Sequence, residues 1–154
     1  MHTLGRAVGA PHGIAAGQAW ECEPTADLSE YQRAKTGALF AAATVAGAAA
    51  AGSDPEPWRT LGEQLGEAYQ VADDIADVFS NNTDLGKPVC QDRALGRPNA
   101  ALKLGIEGAM KHLEALAKAA ADSIPSCPGQ AALRALTMSE ARRLLPRDLS
   151  QRAA

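Results

Sequence analysis

Aromatic residues are scarce in this sequence, which contains two Trp, two Tyr and two Phe and is 4% aromatic. Valine and isoleucine are also too few for a protein built on β-sheets, where β-branched and aromatic side chains are enriched. Alanine and glycine are abundant instead, and their small side chains allow helices to pack closely. The composition therefore predicts an all-α protein.

An excess of positive charge is also lacking, because the formal net charge is −3 and the pI is near 5.6. A basic surface is the usual footprint of nucleic-acid binding, so we expect no nucleic-acid partner. The three histidines share no metal-ligand spacing, and the three cysteines form no CxxC pair. We therefore expect no zinc site, and we expect reduced thiols that serve as small core residues in a cytoplasmic protein.

Long hydrophobic runs are absent as well. The N-terminus has no basic start followed by an apolar stretch, so no signal peptide is predicted. Residues 36–53 carry no charge, but they are too few and too weakly apolar to predict stable membrane insertion. With 154 residues and 46% hydrophobic content, the chain is expected to form a single domain over residues 1–154.

Capping residues and helix breakers divide the chain into about five predicted helices. Asp27 and Glu30 form a capping-box pattern, and Asp54-Pro55 and Asn99 are further helix starts. The uncharged second helix should end at Gly52 and be enclosed by its neighbours on nearly all sides. The predicted helices span about residues 4–21, 27–51, 54–79, 99–123 and 130–145.

Two features concern the second half of the chain. Residues 80–98 form a predicted connection that is longer than ordinary connectors, and loops of that length are often functional lids. The fourth predicted helix is expected to bury an apolar stripe made of Leu102, Ile106, Ala109, Leu113 and Leu116.

An acidic cluster lies near the end of the third predicted helix. Asp73 and Asp77 stand at i and i+4, and Asp74 and Asp77 at i and i+3, so the three carboxylates should share one patch. Carboxylates near a helix C-terminus repel one another and oppose the helix dipole, which predicts a counter-charge. Flexible oxygen ligands suit Mg²⁺ bound together with phosphates.

The alternative interpretation of this cluster is a solvated acidic face. The apolar neighbours and the nearby Lys87 favour the metal site, as does the absence of Lys or Arg at i±4 from any of the three aspartates. We therefore expect the carboxylates to line a closed cavity flanked by Lys35 and Lys87.

Four motifs follow one another along the chain: Gly17-Gln18-Ala-Trp-Glu21, Tyr31-Gln-Arg-Ala-Lys35-Thr36-Gly-Ala-Leu, Tyr69-Gln70-Val-Ala-Asp73-Asp74-Ile-Ala-Asp77 and Leu85-Gly86-Lys87-Pro88-Val-Cys-Gln-Asp92. Their order and helix-compatible spacing resemble the C-terminal half of the trans-isoprenyl diphosphate synthases, the polyprenyl synthetase family. The resemblance covers about residues 4–145. It is greatest to bacterial members that make geranylgeranyl diphosphate for carotenoid and bacteriochlorophyll pathways.

This resemblance implies a partial helical bundle of the isoprenoid synthase type, and it implies roles for several residues. Asp73, Asp74 and Asp77 match the family's second aspartate-rich motif, which holds Mg²⁺ against an allylic diphosphate. Lys35 and Lys87 match the two lysines that contact the same diphosphate.

The remaining matches are polar residues. Gln18 and Gln70 match residues that line the cavity, Glu21 stands where many members have Asp, and Asp92 would lie in a closing loop. The resemblance thus implies catalytic roles for Lys35, Thr36, Gln70 and Lys87, and substrate binding by Gln18, Glu21, Lys35, Lys87 and Asp92. Taken alone, each of these residues would be an ordinary surface, turn or core residue, so the prediction depends on their joint occurrence.

The implied reaction is Mg²⁺-dependent, head-to-tail prenyl transfer between an allylic diphosphate and isopentenyl diphosphate. In this family the first aspartate-rich motif and the isopentenyl site lie in an upstream half, and no second Asp-x-x-Asp cluster occurs in this sequence. We therefore expect the chain alone to be poorly active, and to form a homo-oligomer or associate with a full-length synthase. Two alternatives are a non-catalytic partner of such a synthase and a helical module that binds no diphosphate.

Overall fold

The computed structural model describes residues 2–20, 22–23, 27, 30–31, 33–83 and 99–145, and for residues 80–83 only the helical backbone. Within these ranges the chain is all-α, as predicted, and has no strand. The helices are α1 (His2–Val8), α2 (Ile14–Trp20), α3 (Ala38–Ala50), α4 (Arg59–Thr83), α5 (Ala100–Asp122) and α6 (Gln130–Arg143). A π-helical turn (Arg33–Gly37) leads into α3, and a 3₁₀ turn (Glu56–Trp58) leads into α4.

Helix α4 is the central element, because it contacts α3, the π-helical turn, α5 and α6. The main core lies between α4 and α5, where Val71 and Ile75 are fully buried. Their buried neighbours in this core are Ala68, Ala72, Ala100, Ala101, Ala109, Leu113 and Leu116. A smaller cluster of Leu61, Ala120 and Ile124 connects the start of α4 to the α5–α6 corner.

Two glycines allow α4 to touch the segment that begins α3. A Cβ atom built on Gly66 would lie 2.5 Å from the Cα atom of Gly37, and one built on Gly62 would collide with the backbone of Ala41. Carbon atoms pack best at about 3.5–4.0 Å, so no side chain fits at either position without a shift of the backbone. This close approach fixes the π-helical turn against the middle of α4.

The predicted enclosure of the second helix on nearly all sides is wrong. One side of α3 is buried against α1 and α4, and its residues are Ala41, Ala42, Val45 and Ala48. The opposite side is exposed and consists of Ala43, Ala46, Gly47, Ala49 and Ala50. The difference arises because no other described element covers that side of α3.

Local helix-start signals are largely confirmed. Asn99 caps α5, since its Oδ1 atom accepts a hydrogen bond of 2.9 Å from the backbone N–H of Leu102. Asp27 Oδ1 likewise accepts from the backbone N–H of Glu30 at 3.1 Å. Gly52, two residues after the end of α3, adopts a φ of 74°, as expected for a helix stop. The boundaries differ elsewhere, because the first predicted helix is divided into α1 and α2, and α4 continues to Thr83.

The apolar stripe predicted for α5 is wrong at Leu102, which is 40% exposed. Gly105 has φ 72° and ψ 163°, values that interrupt the helix and reset the direction of its side chains. Ala109, Leu113 and Leu116 follow the interruption and are buried as predicted. Cys22 is exposed, so the expectation of core cysteines is wrong for this residue.

The predicted connecting segment falls mostly outside the described residues, since residues 84–98 are not described. Among the helices that are described, none combines the length and apolar character required to span a bilayer. The extent of the predicted single domain stays a prediction.

Candidate active site

The acidic cluster of α4 is divided between two faces of the helix. Asp73 and Asp77 are exposed, whereas Asp74 is only 3% exposed. The prediction of one patch shared by three carboxylates is therefore wrong for Asp74. Successive residues of a helix differ by about 100° in direction, and this rotation carries Asp74 toward the first residue of α5 while Asp73 faces solvent.

A chain of hydrogen bonds runs from Asp74 to the π-helical turn. Its Oδ2 atom accepts from the backbone N–H of Ala100 at 2.7 Å, and its Oδ1 atom accepts from Nε2 of Gln70 at 3.1 Å. Gln70 Oε1 in turn accepts from the hydroxyl of Thr36 at 2.9 Å. The chain brings together three predicted site residues and connects the π-helical turn, α4 and α5.

Lys35 lies in the π-helical turn next to Thr36. Its Nζ atom donates a hydrogen bond of 2.8 Å to the hydroxyl of Tyr31 and lies 5.2 Å from the centre of the Tyr31 ring. Tyr31 is 3% exposed, so it is a fixed acceptor for the ammonium group. Sequence reasoning missed Tyr31, although its position four residues before Lys35 places both on one helical face.

Helix α2 packs directly on this turn through Gly17. A Cβ atom built on Gly17 would lie 2.5 Å from the Cα atom of Lys35, so only glycine allows the two backbones to approach so closely. Gln18 follows Gly17 and is exposed. Three further predicted site residues, Glu21, Lys87 and Asp92, lie outside the described residues.

The expected closed cavity around the carboxylates is not present in the described part of the chain, because Asp73 and Asp77 are exposed. Nor do three His, Cys, Asp or Glu residues within that part converge as a metal-binding group. Mg²⁺, however, is usually held by only one or two carboxylates together with substrate phosphates and water. Two exposed carboxylates one helical turn apart fit this kind of coordination, so the donor set of Asp73 and Asp77 is compatible with the ion.

A cavity of about 580 Å³ lies elsewhere, between α1, α3 and the 3₁₀ turn. Its charged lining includes Arg59 and Glu56, which form an ion pair of 2.6 Å. The described residues that line it include none of the predicted site residues. The predicted site residues that the structure describes therefore lie outside the described lining of this cavity.

Comparison with known proteins agrees with the motif order. The profile of the polyprenyl synthetase family, described as "Polyprenyl synthetase", matches residues 7–131. The chain belongs to the polyprenyl synthetase family. The predicted family resemblance is thereby confirmed.

Individual relatives support this assignment. A geranylgeranyl diphosphate synthase of Cereibacter sphaeroides is 50% identical over 144 residues, covering 94% of this chain and 50% of that protein. The corresponding synthase of Rhodobacter capsulatus is 51% identical over 142 residues, covering 92% of the chain and 49% of that protein. A farnesyl diphosphate synthase of Geobacillus stearothermophilus is 36% identical over 122 residues, covering 73% of this chain and 41% of that protein. The chain thus spans about half the length of the curated relatives it matches.

Proposed function

We propose that this chain is the diphosphate-binding part of a prenyl diphosphate synthase of the geranylgeranyl type. The observation that carries the proposal is the hydrogen-bond chain from Thr36 through Gln70 to Asp74. It connects the turn that contains Lys35 to the helix that contains the exposed pair Asp73 and Asp77. The geranylgeranyl diphosphate synthases that are 50% and 51% identical to this chain support the same activity.

The proposed reaction joins an allylic diphosphate to isopentenyl diphosphate. The allylic C–O bond breaks and pyrophosphate leaves, the terminal alkene carbon of isopentenyl diphosphate bonds to the allylic carbon, and a proton is lost to form the new double bond. Bound Mg²⁺ supplies Lewis-acid stabilisation of the negative charge that develops on the leaving pyrophosphate.

The residues of the chain have separate tasks in this reaction. Asp73 and Asp77 hold the metal ion, and the Lys35 ammonium group contacts the diphosphate. Tyr31 keeps that ammonium group in place through the 2.8 Å hydrogen bond. Fixed charges of this kind stabilise a charge-separated transition state without reorganising during the reaction. Lys87, Gln18, Glu21 and Asp92 remain predicted contributors to substrate binding.

Calorimetry with Mg²⁺ and inorganic pyrophosphate tests the site directly. Asp73→Ala should weaken Mg²⁺-dependent pyrophosphate binding by about tenfold or more, since loss of even a supporting residue around a metal typically costs 10–100-fold. Glu114→Ala is the matched control, because it removes an exposed carboxylate from α5, outside the proposed site. Equal affinity of wild type and Asp73→Ala would show that Asp73 is not a ligand, and absence of binding by both would favour a helical module without diphosphate binding.

The 154-residue chain alone is proposed to turn over poorly, because the sequence contains no second Asp-x-x-Asp cluster. A steady-state assay with radiolabelled isopentenyl diphosphate and an allylic primer measures this property. Turnover comparable to that of a full-length synthase would contradict the proposal.

A second candidate function is that of a non-catalytic partner of a full-length synthase. The uncharged exposed side of α3, which includes Ala43, Ala46 and Ala50, favours it because such a surface can pack closely against another helix. Size-exclusion chromatography with a full-length homologue measures the association. Co-elution combined with no effect of Asp73→Ala on the activity of the complex would favour this function over the catalytic one.

A further inference from the structure

Asp74 is a buried carboxylate with both oxygen atoms engaged in hydrogen bonds. It is 3% exposed, and it accepts hydrogen bonds of 2.7 Å from the Ala100 N–H and 3.1 Å from the Gln70 amide. Burial of a charge is costly unless hydrogen bonds and compensating charge replace the lost water. The surroundings of Asp74 supply both.

The compensation on one side comes from the start of α5. Ala100 is the first residue of this helix, so its N–H belongs to the group of donors that have no partner within the helix. The positive end of the helix dipole also favours a carboxylate at this place. Asn99 accepts from Leu102 at the same helix end, so two side chains share its capping.

The other side of Asp74 leads to the π-helical turn. An ionised carboxylate only accepts hydrogen bonds, so the NH₂ group of Gln70 must face Asp74 and its oxygen must face the Thr36 hydroxyl. The observed contacts have this arrangement. One carboxylate therefore sets the orientation of Gln70 and, through it, the position of the residue next to Lys35.

We propose that Asp74 is a positioning residue and not a metal ligand. It fastens the start of α5 and the turn that contains Lys35 to α4, while Asp73 and Asp77 bind Mg²⁺ on the exposed face. The part of this inference that concerns Mg²⁺ binding rests on the proposed function. The role of Asp74 in holding α5 and the π-helical turn against α4 rests on its hydrogen bonds.

The isosteric variant Asp74→Asn separates a positioning residue from a ligand. Its carbonyl oxygen can still accept from Ala100, and its NH₂ group can donate to Gln70 once that amide rotates by half a turn. The rotated Gln70 then donates to the Thr36 hydroxyl, which can also accept. The chain of hydrogen bonds survives with reversed donors, whereas Asp74→Ala removes it.

Two readouts are required. Electron paramagnetic resonance measures binding of Mn²⁺ with inorganic pyrophosphate, and amide hydrogen exchange by NMR measures protection of the Ala100 N–H. Asp73→Asn should weaken Mn²⁺ binding by about tenfold or more, and Asp74→Asn by less than about threefold with Ala100 still protected. Asp74→Ala should lose Ala100 protection, and Asp74→Asn should restore it.

The outcomes separate the two claims. The inference is overturned if Asp74→Asn weakens Mn²⁺ binding as much as Asp73→Asn does while the Ala100 N–H stays protected from exchange. In that case Asp74 is a metal ligand. Retained Ala100 protection in Asp74→Ala would also overturn it. If Asp73→Asn leaves Mn²⁺ binding unchanged while Asp74→Ala loses Ala100 protection, the proposed metal site fails and the fastening role of Asp74 stands.

Discussion

The contact between Gly66 and the π-helical turn gives a quantitative prediction for the variant Gly66→Ala. The new Cβ atom would lie 2.5 Å from the Cα atom of Gly37 and 3.3 Å from Cβ of Phe40. Because carbon atoms pack at about 3.5–4.0 Å, the turn and α4 must separate by about 1 Å. The hydrogen bond between Thr36 and Gln70, now 2.9 Å, lies one helical turn further along and would be stretched beyond bonding distance.

Three contributions set the expected change in the free energy of unfolding. Overpacking costs about 1–3 kcal/mol. Loss of the hydrogen bond costs about 0.5–1.5 kcal/mol. Replacing Gly by Ala within a helix returns about 1 kcal/mol. The net destabilisation is centred near 2 kcal/mol, which for a chain of this length lowers Tm by about 4–8 °C.

Thermal unfolding followed by circular dichroism at the helical signal measures this shift. Gly47→Ala is the matched control, because it gains the same helical preference on α3 and a Cβ atom there would meet no described residue within 4 Å beyond its own stretch of helix. The control should raise Tm by about 2–4 °C. A Gly66→Ala variant that melts at or above wild type would refute the close packing of α4 on the turn.

Three further predictions concern single side chains. Tyr31→Phe removes one hydrogen-bond acceptor of the Lys35 ammonium group, so pyrophosphate affinity measured by calorimetry should fall while the secondary structure is retained; unchanged affinity would contradict the role of Tyr31. Asn99→Ala removes the cap of α5 and should cost about 1 kcal/mol in urea unfolding, whereas Asn99→Ser should recover most of it. Arg59 donates to Glu56 and holds the pKa of that carboxyl below its usual range. The small stabilisation from this pair is therefore present above the usual carboxyl pKa and is lost as the pH falls through the lowered pKa of Glu56. The Tm of the wild type minus the Tm of Glu56→Gln should therefore shrink on acidification, and a difference that grows would contradict the prediction.

The sequence was sufficient for features that depend on neighbouring residues. Asn99 and Gly52 act as helix start and helix stop because capping and positive φ are local properties of the backbone. The all-α class followed from composition for a similar reason, since small residues and few β-branched ones oppose sheets. The motif order was sufficient to predict the family.

Features that depend on distant contacts were not predictable. Asp74 is buried where α5 packs on α4, and the first residue of α5, 26 positions further on, donates a hydrogen bond to it. The prediction used only the spacing of residues along α4, and that spacing grouped Asp74 with Asp73 and Asp77. The exposed side of α3 depends in the same way on which neighbours cover the helix, and Gly105 interrupts α5 without a proline to mark the position.

Crystals of the chain soaked with Mn²⁺ and inorganic pyrophosphate test the central claim most directly, because anomalous scattering locates the metal. The proposal predicts a manganese peak within coordination distance of the Asp73 and Asp77 carboxylates, with the pyrophosphate on the side of Lys35 and the Asp74 carboxylate still bonded to Ala100. A peak coordinated by Asp74, or an ordered pyrophosphate bound away from α4, would contradict it.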